Sequence, residues 1–272
     1  MPLDKNIKYR SQTGKRPLIL VTNDDGIGSP GLKKLAKVLS SVGDILVVAP
    51  MTEQSATSHA VTLYKPLRCE VVAPNWYALG GTPADCVNLA VNFILKGKGP
   101  DLLFSGINNG PNLGDDINYS GTVSAAKEGG IFGIPSVAVS VTGSVANAFD
   151  GGRGKVVYDA AASFAVRLAR KVLKNGLPKN VVLNVNVPNI PRSKVKGYRV
   201  TFQGKKHYAD ITREDLDPRG RKYYWICGEE SGFDDIPGSD CNAVADGFIS
   251  VLPLKINPTD FAFLRQLKTW RI

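Results

Sequence analysis

Apolar runs rich in β-formers alternate along this chain with stretches whose apolar positions recur at helical spacing. Leu18 to Val21 is the first such run, short and continuous as in a strand buried on both faces. Ser29 and Pro30 then read as N-cap and first residue of a helix, with Leu32, Leu35, Ala36 and Leu39 as its inward stripe and Gly43 as its stop. A second strand is expected from Asp44 to Val48. This strand–helix–strand opening predicts a parallel sheet with right-handed crossovers.

Further on, Val61 to Tyr64, Leu67 to Val72 and Trp76 to Leu79 read as short strands, forming a hairpin appended to the sheet. Thr82-Pro83-Ala84-Asp85 opens a helix with a capping box, so Asp85 is assigned to capping. Leu89, Ala90 and Phe93 form that helix's expected buried stripe, and Gly97 ends it. Strands follow at Asp101 to Phe104, Ile134 to Val141 and Val181 to Val187, with helices at Ser124 to Glu128 and Val156 to Val172. The last helix shows Val157, Ala161, Phe164, Leu168 and Val172 on one face. From Asn189 to Leu254 the rhythm changes to short runs punctuated by Gly and Pro (Tyr198 to Phe202, Lys222 to Ile226, Gly247 to Val251), and Asn257 to Asp260 caps a final helix through Leu267. The expected organisation is a flexible basic leader (1–16), an α/β core with a mostly parallel sheet and helices on both faces (17–188), and a small C-terminal β-rich extension with a terminal helix, used for subunit contacts (189–272).

Composition narrows this picture only slightly. The chain has 272 residues, 43% hydrophobic and 21% charged, which is globular and large enough for one sizeable core. No apolar run reaches the roughly 18 residues that span a bilayer. Residues 1–16 are basic and polar, without the apolar segment of a secretory signal. Cys69, Cys86, Cys227 and Cys241 are scattered, which favours free thiols over a zinc site. A cytoplasmic protein without a membrane partner is expected. The net charge of +10 favours anionic ligands, but it is spread along the chain and no nucleic-acid motif accompanies it. Solubility accounts for it, and no specific nucleic acid is expected.

The chemistry gathers where predicted strands end. Asn23, Asp24 and Asp25 close the first strand, and carboxyl ends of strands are where open α/β sheets bind ligands. Gly26, Gly28 and Gly31 spell the G-x-G-x-x-G dinucleotide fingerprint, but two carboxylates stand immediately before it. A carboxylate and a phosphate about 5 Å apart repel by roughly 1 kcal/mol in water and about 3 kcal/mol at an effective dielectric near 20. A divalent cation between them reverses that sign. The acid the fingerprint wants after the second strand is also missing, since that strand runs into Ala49-Pro50 and Glu53 comes later in a loop. The loop 51–60 carries Ser55, Thr57, Ser58 and His59 as candidate ligands or phosphate contacts, although a lone histidine is more often structural. The loop after Phe104 offers Asn108, Asn109 and Asn112 as neutral oxygen donors. Ser120-Gly121-Thr122 brings two hydroxyls and free N–H groups to a helix N-terminus, a natural phosphate seat.

Five ordered motifs, VTNDDGIGSPGL, VVAPMTEQSA, GTPADCV, SGINNGPNLGDD and YSGTVSAA, together resemble the SurE family of stationary-phase survival proteins, metal-dependent nucleoside monophosphate phosphatases. The resemblance runs from about Pro17 into the C-terminal region. It implies a Rossmann-like domain with a smaller C-terminal extension that assembles homodimers or homotetramers. It implies one divalent cation per subunit held by Asp24, Asp25, Ser55 and Asn108, and substrate or phosphate contacts from Asn23, Asn112, Ser120, Gly121 and Thr122. An oxygen-only ligand set selects Mg²⁺ or Mn²⁺. The implied reaction is hydrolysis of nucleoside 5′-monophosphates, and of 3′-monophosphates, with Asp24 or Asp25 as the catalytic group that takes a proton from water. An aspartyl-phosphate at Asp24 is the mechanistic alternative. Short-chain exopolyphosphatase activity and a non-enzymatic nucleic-acid-binding role are the functional alternatives.

Overall fold

The computed structural model describes residues 16–142 and 156–270. Nine strands form one sheet in the order β3-β4-β2-β1-β5-β6-β7-β11-β8. The strands are β1 (Leu18–Thr22), β2 (Asp44–Pro50), β3 (Cys69–Ala73), β4 (Trp76–Leu79), β5 (Leu102–Asn109), β6 (Ser136–Thr142), β7 (Val181–Pro188), β8 (Tyr198–Val200) and β11 (Ile249–Lys255). β4, β2, β1, β5, β6 and β7 run parallel, β3 pairs antiparallel with β4, and β11 pairs antiparallel with β7. Two further strands, β9 (Lys206–Leu216) and β10 (Lys222–Phe233), form a separate antiparallel ribbon.

Alternation along the buried strands divides the core into two layers. Ile19 and Val21 of β1 meet α1 (Pro30–Leu39) and α4 (Asp159–Asn175), whereas Leu20 faces α2 (Pro83–Leu89) and α3 (Gly121–Ile131). Ser29 caps α1 with Pro30 behind it, as expected. A β-carbon on Gly31 would lie 2.0 Å from the Ile107 carbonyl oxygen, so only glycine lets α1 approach β5 this closely. That glycine of the apparent dinucleotide fingerprint serves helix–strand packing.

Several expected details differ. Val61 to Tyr64 is loop, and the hairpin is β3–β4 alone. Asp85 caps α2 as expected, but Phe93 is exposed instead of buried. The helix widens into a π-turn over Ala90–Ile94, with Leu95 N–H bonded to Ala90 O, and this carries Val91, Ile94 and Leu95 to the core. α4 begins at Asp159, so Val157 precedes it, and its N–H is taken by Asn189 Oδ1. β5 runs past Phe104 to Asn109 with a register shift between Gly106 and Asn108, so the first part of the expected loop, Ser105 to Asn109, is strand. The residues expected as an extension divide. β8 and β11 join the main sheet, and only β9–β10 leaves it. Two helices complete the region, α5 (Asp240–Ala245) and α6 (Phe261–Leu267), and α6 buries no residue. The basic leader lies, except for Arg16, outside the described residues.

Candidate active site

The strand order places β2 on one side of β1 and β5 on the other, so the chain reverses its winding direction between β1 and β5. Ligand crevices of open α/β sheets lie at such a switch point. Asp24 and Asp25 leave β1 there, and Asn108 lies near the end of β5.

Asp24 is 5% exposed and held by the first turn of α3. Thr122 donates its hydroxyl to Asp24 Oδ1 at 2.5 Å and its N–H to Oδ2 at 3.0 Å. Gly121 makes this approach possible, because a β-carbon there would lie 2.9 Å from Asp24 Cβ and 3.0 Å from Oδ2. Burial pushes the Asp24 carboxyl above its ordinary value, the two Thr122 hydrogen bonds pull it down, and the Glu53 charge pushes it up. No lysine, arginine or histidine forms an ion pair with Asp24 among the described residues. A buried carboxylate is ordinarily compensated by a cation.

Asp25 is half-buried and accepts from Asn109 N–H at 3.3 Å. Asn108 turns its amide nitrogen to Gly110 O at 3.0 Å, which leaves its side-chain carbonyl as the donor toward a cation. Gln54 N–H bonds the Asp24 backbone oxygen at 2.7 Å and so brings the neighbouring Ser55 to this edge. Ser55 is exposed and donates to Glu53 Oε1 at 2.7 Å.

The remaining candidates do local structural work. Asn23 donates to Gly26 O and to Ser29 Oγ, folding the glycine turn onto α1. Ser120 accepts from Val123 N–H as the N-cap of α3. Asn112 is buried in a network in which its amide nitrogen reaches Ser140 Oγ at 2.7 Å, and its backbone is gripped by Asn184 and Asn186 of β7. Sequence reasoning missed Glu53 as a charge acting on Asp24, and the β6–β7 residues that anchor Asn112. It also missed the pairing of Asp115 and Asp116 with Lys205 and Lys206, at 2.7 and 2.9 Å. No local pattern could reveal contacts so distant along the chain.

The donor set is carboxylate, amide and hydroxyl oxygen with no soft ligand, which fits a hard cation. The lack of a protein counter-charge at Asp24 among the described residues fits it too. Fold and site together define an α/β protein with a cluster of acidic and neutral oxygen donors at the carboxyl edge of its parallel strands.

The family model described as survival protein SurE matches residues 19–210. A protein named 5′-nucleotidase SurE from Geotalea daltonii is 48% identical over 254 residues, covering 93% of this chain and 99% of its own length. Its namesake from Geobacter metallireducens is 49% identical over 252 residues, covering 93% and 96%. The crystal structure of the SurE protein from Aquifex aeolicus superimposes with a TM-score of 0.81 at 42% identity, over 93% of this chain and 98% of that one. The chain belongs to the SurE family.

Proposed function

We propose that this chain is a divalent-cation-dependent 5′-nucleotidase, which releases phosphate from nucleoside 5′-monophosphates and also accepts 3′-monophosphates. The observation that carries this reading is Asp24, a buried carboxylate with no protein cation beside it among the described residues, at the switch point of the sheet. The names of the relatives support the substrate class. Asp24, Asp25, Ser55 and Asn108 would hold one Mg²⁺ or Mn²⁺ per subunit. When bound, such a cation polarises a phosphoryl oxygen and lowers the pKa of an adjacent water.

The protein's own groups divide the remaining work. Asp24, locked by Thr122, positions. Asp25 is more open to solvent than Asp24, so it is the carboxylate suited to take the proton from the attacking water. Direct attack by water is favoured over an aspartyl-phosphate, because Asp24 is buried and both its oxygens are engaged. The α3 N-terminus faces the phosphate with its dipole. Within its first turn Thr122 N–H serves Asp24 and Val123 N–H serves Ser120, which leaves Gly121 N–H as the donor for a phosphate oxygen. Asn23, Asn112 and Ser120 act by shaping the loops around the substrate.

A homo-oligomer is part of this proposal. Tyr198, Val200 and Phe202 around the edge strand β8, Tyr224, Trp225 and Ile226 of β10, and Phe261 and Phe263 of α6 are exposed. Apolar surface this extensive marks an interaction face. No helix among the described residues is long and apolar enough to cross a membrane, and a cytoplasmic location is part of the proposal.

The test is phosphate release from a panel of nucleoside 5′- and 3′-monophosphates and short polyphosphates, using EDTA-stripped protein with Mg²⁺ or Mn²⁺ added back. Release from monophosphates that needs the cation and is lost in Asp25→Asn supports the proposal. Faster release from polyphosphate moves the main activity there. No release from folded protein with either cation refutes it.

A further inference from the structure

The loop carrying Ser55 has an unusual backbone. Ala56 and Ser58 stand at φ +56° and +54°, in the left-handed region that non-glycine residues avoid. Such a conformation persists where surrounding contacts impose it. Here those contacts come from three directions. Gln54 N–H holds the Asp24 backbone. Ser58 donates its N–H to Tyr119 O at 3.0 Å and its hydroxyl to Asn118 O at 2.8 Å. His59 Nε2 meets Glu128 Oε2 at 2.8 Å.

The His59–Glu128 contact is the one made by a side chain in the body of a helix. Glu128 is 8% exposed and lies on α3, six residues beyond Thr122, about 9 Å along the axis. One rigid helix therefore grips both halves of the cation site. Thr122 fixes Asp24, and Glu128 fixes the loop that presents Ser55. A hydrogen bond to a buried carboxylate is among the stronger ones and is directional.

We infer that His59 is a positioning residue. Through Glu128 it sets where the Ser55 loop rests against α3, and thereby how tightly the cation is held. The inference rests on the cation site proposed above.

The test is Mn²⁺ titration of EDTA-stripped protein, reading free Mn²⁺ by electron paramagnetic resonance, with thermal melting alongside. His59→Ala is expected to raise the Mn²⁺ dissociation constant about tenfold, in the range seen when a ligand's outer support is removed. Its melting temperature falls by several degrees, because Glu128 loses its partner, but the protein remains folded at the temperature of the titration. His59→Gln, whose amide nitrogen replaces Nε2, recovers most of the affinity. Glu128→Ala matches His59→Ala, and the double variant is no weaker than either single one. Should Glu128→Ala fail to fold, His59→Ala and His59→Gln decide alone. An unchanged dissociation constant in His59→Ala, or His59→Gln as weak as His59→Ala, overturns the inference and leaves the nucleotidase reading standing. Wild-type protein that binds no Mn²⁺ overturns both.

Discussion

Thr122 binds both oxygens of Asp24, one through its hydroxyl and one through its backbone N–H, across 98 residues of sequence. A residue expected to meet the phosphate thus holds the carboxylate that would hold the cation. Thr122→Val removes the hydroxyl alone. A hydrogen bond to a charged group is worth about 1.5–3 kcal/mol, so cation affinity or kcat/KM should fall roughly 10- to 100-fold. The lost bond had lowered the Asp24 pKa, and so the acid limb of the pH–activity profile should move to higher pH. Thr122→Ser should restore both. A pH profile of the three proteins checks this.

Asp24→Asn should separate activity from stability. Burial holds the Asp24 carboxyl above the value of 3.8 it has when unfolded, so folding takes up a proton between those two values. Its contribution therefore turns against folding as pH rises through that range and stays unfavourable at pH 7. The amide carries no charge, and the metal-free variant should melt higher than the wild type. A gain of about 1 kcal/mol corresponds to roughly 2–4 °C in a chain of this size. Added Mn²⁺ should raise the melting temperature of the wild type and leave the variant unmoved. Differential scanning calorimetry with and without the cation reads both effects.

Asp25→Asn should abolish turnover without comparable effect on folding. If Asp25 has the roles proposed for it, proton acceptor and cation ligand, its loss is expected to cost at least roughly 10³-fold in kcat, about 4 kcal/mol of barrier. Single-turnover phosphate release at saturating substrate measures it.

Gly121→Ala tests the close approach of α3. Alanine suits a helix better than glycine by about 1 kcal/mol. The added carbon would nonetheless stand 2.9 Å from Asp24 Cβ and must displace it. Activity should drop by about 10²-fold, the typical cost of a 1 Å misplacement. Equal activity in the alanine variant would mean that the position of Asp24 is not critical.

Lys206→Met tests how the ribbon is rooted. The Lys206 side chain is 2% exposed and pairs with Asp116 at 2.9 Å, while the Tyr208 hydroxyl donates to the same carboxylate. Burial works to lower the Lys206 pKa, but Asp116 and Tyr208 outweigh it and raise it. Removing the ammonium leaves Asp116 partly buried without its cation, at a cost of about 3 kcal/mol. Urea denaturation of the variant gives that figure directly.

Much of the fold was legible because its signals are local. Continuous apolar runs marked β1, β2 and β7, and Ser29-Pro30 and Thr82-Pro83 marked where helices begin. The grouping of Asp24 and Asp25 at a strand's carboxyl end was visible for the same reason. Phe93 was misplaced because a π-turn changes helical phase without a distinct residue signature. β11 looks like part of an extension in the sequence because a short apolar run does not reveal whether its strand pairs antiparallel with the core sheet or with its own neighbours.

The sequence by itself determined which residues could carry chemistry, since donor types and glycine positions are properties of single residues and their neighbours. Only the tertiary structure decided how they are used. Thr122 turns to Asp24, Asn112 to Ser140 and β7, and His59 to Glu128, each across more than twenty residues of chain. Burial sets those choices, because a polar group withdrawn from water must find its partner among whatever the fold brings within about 3 Å.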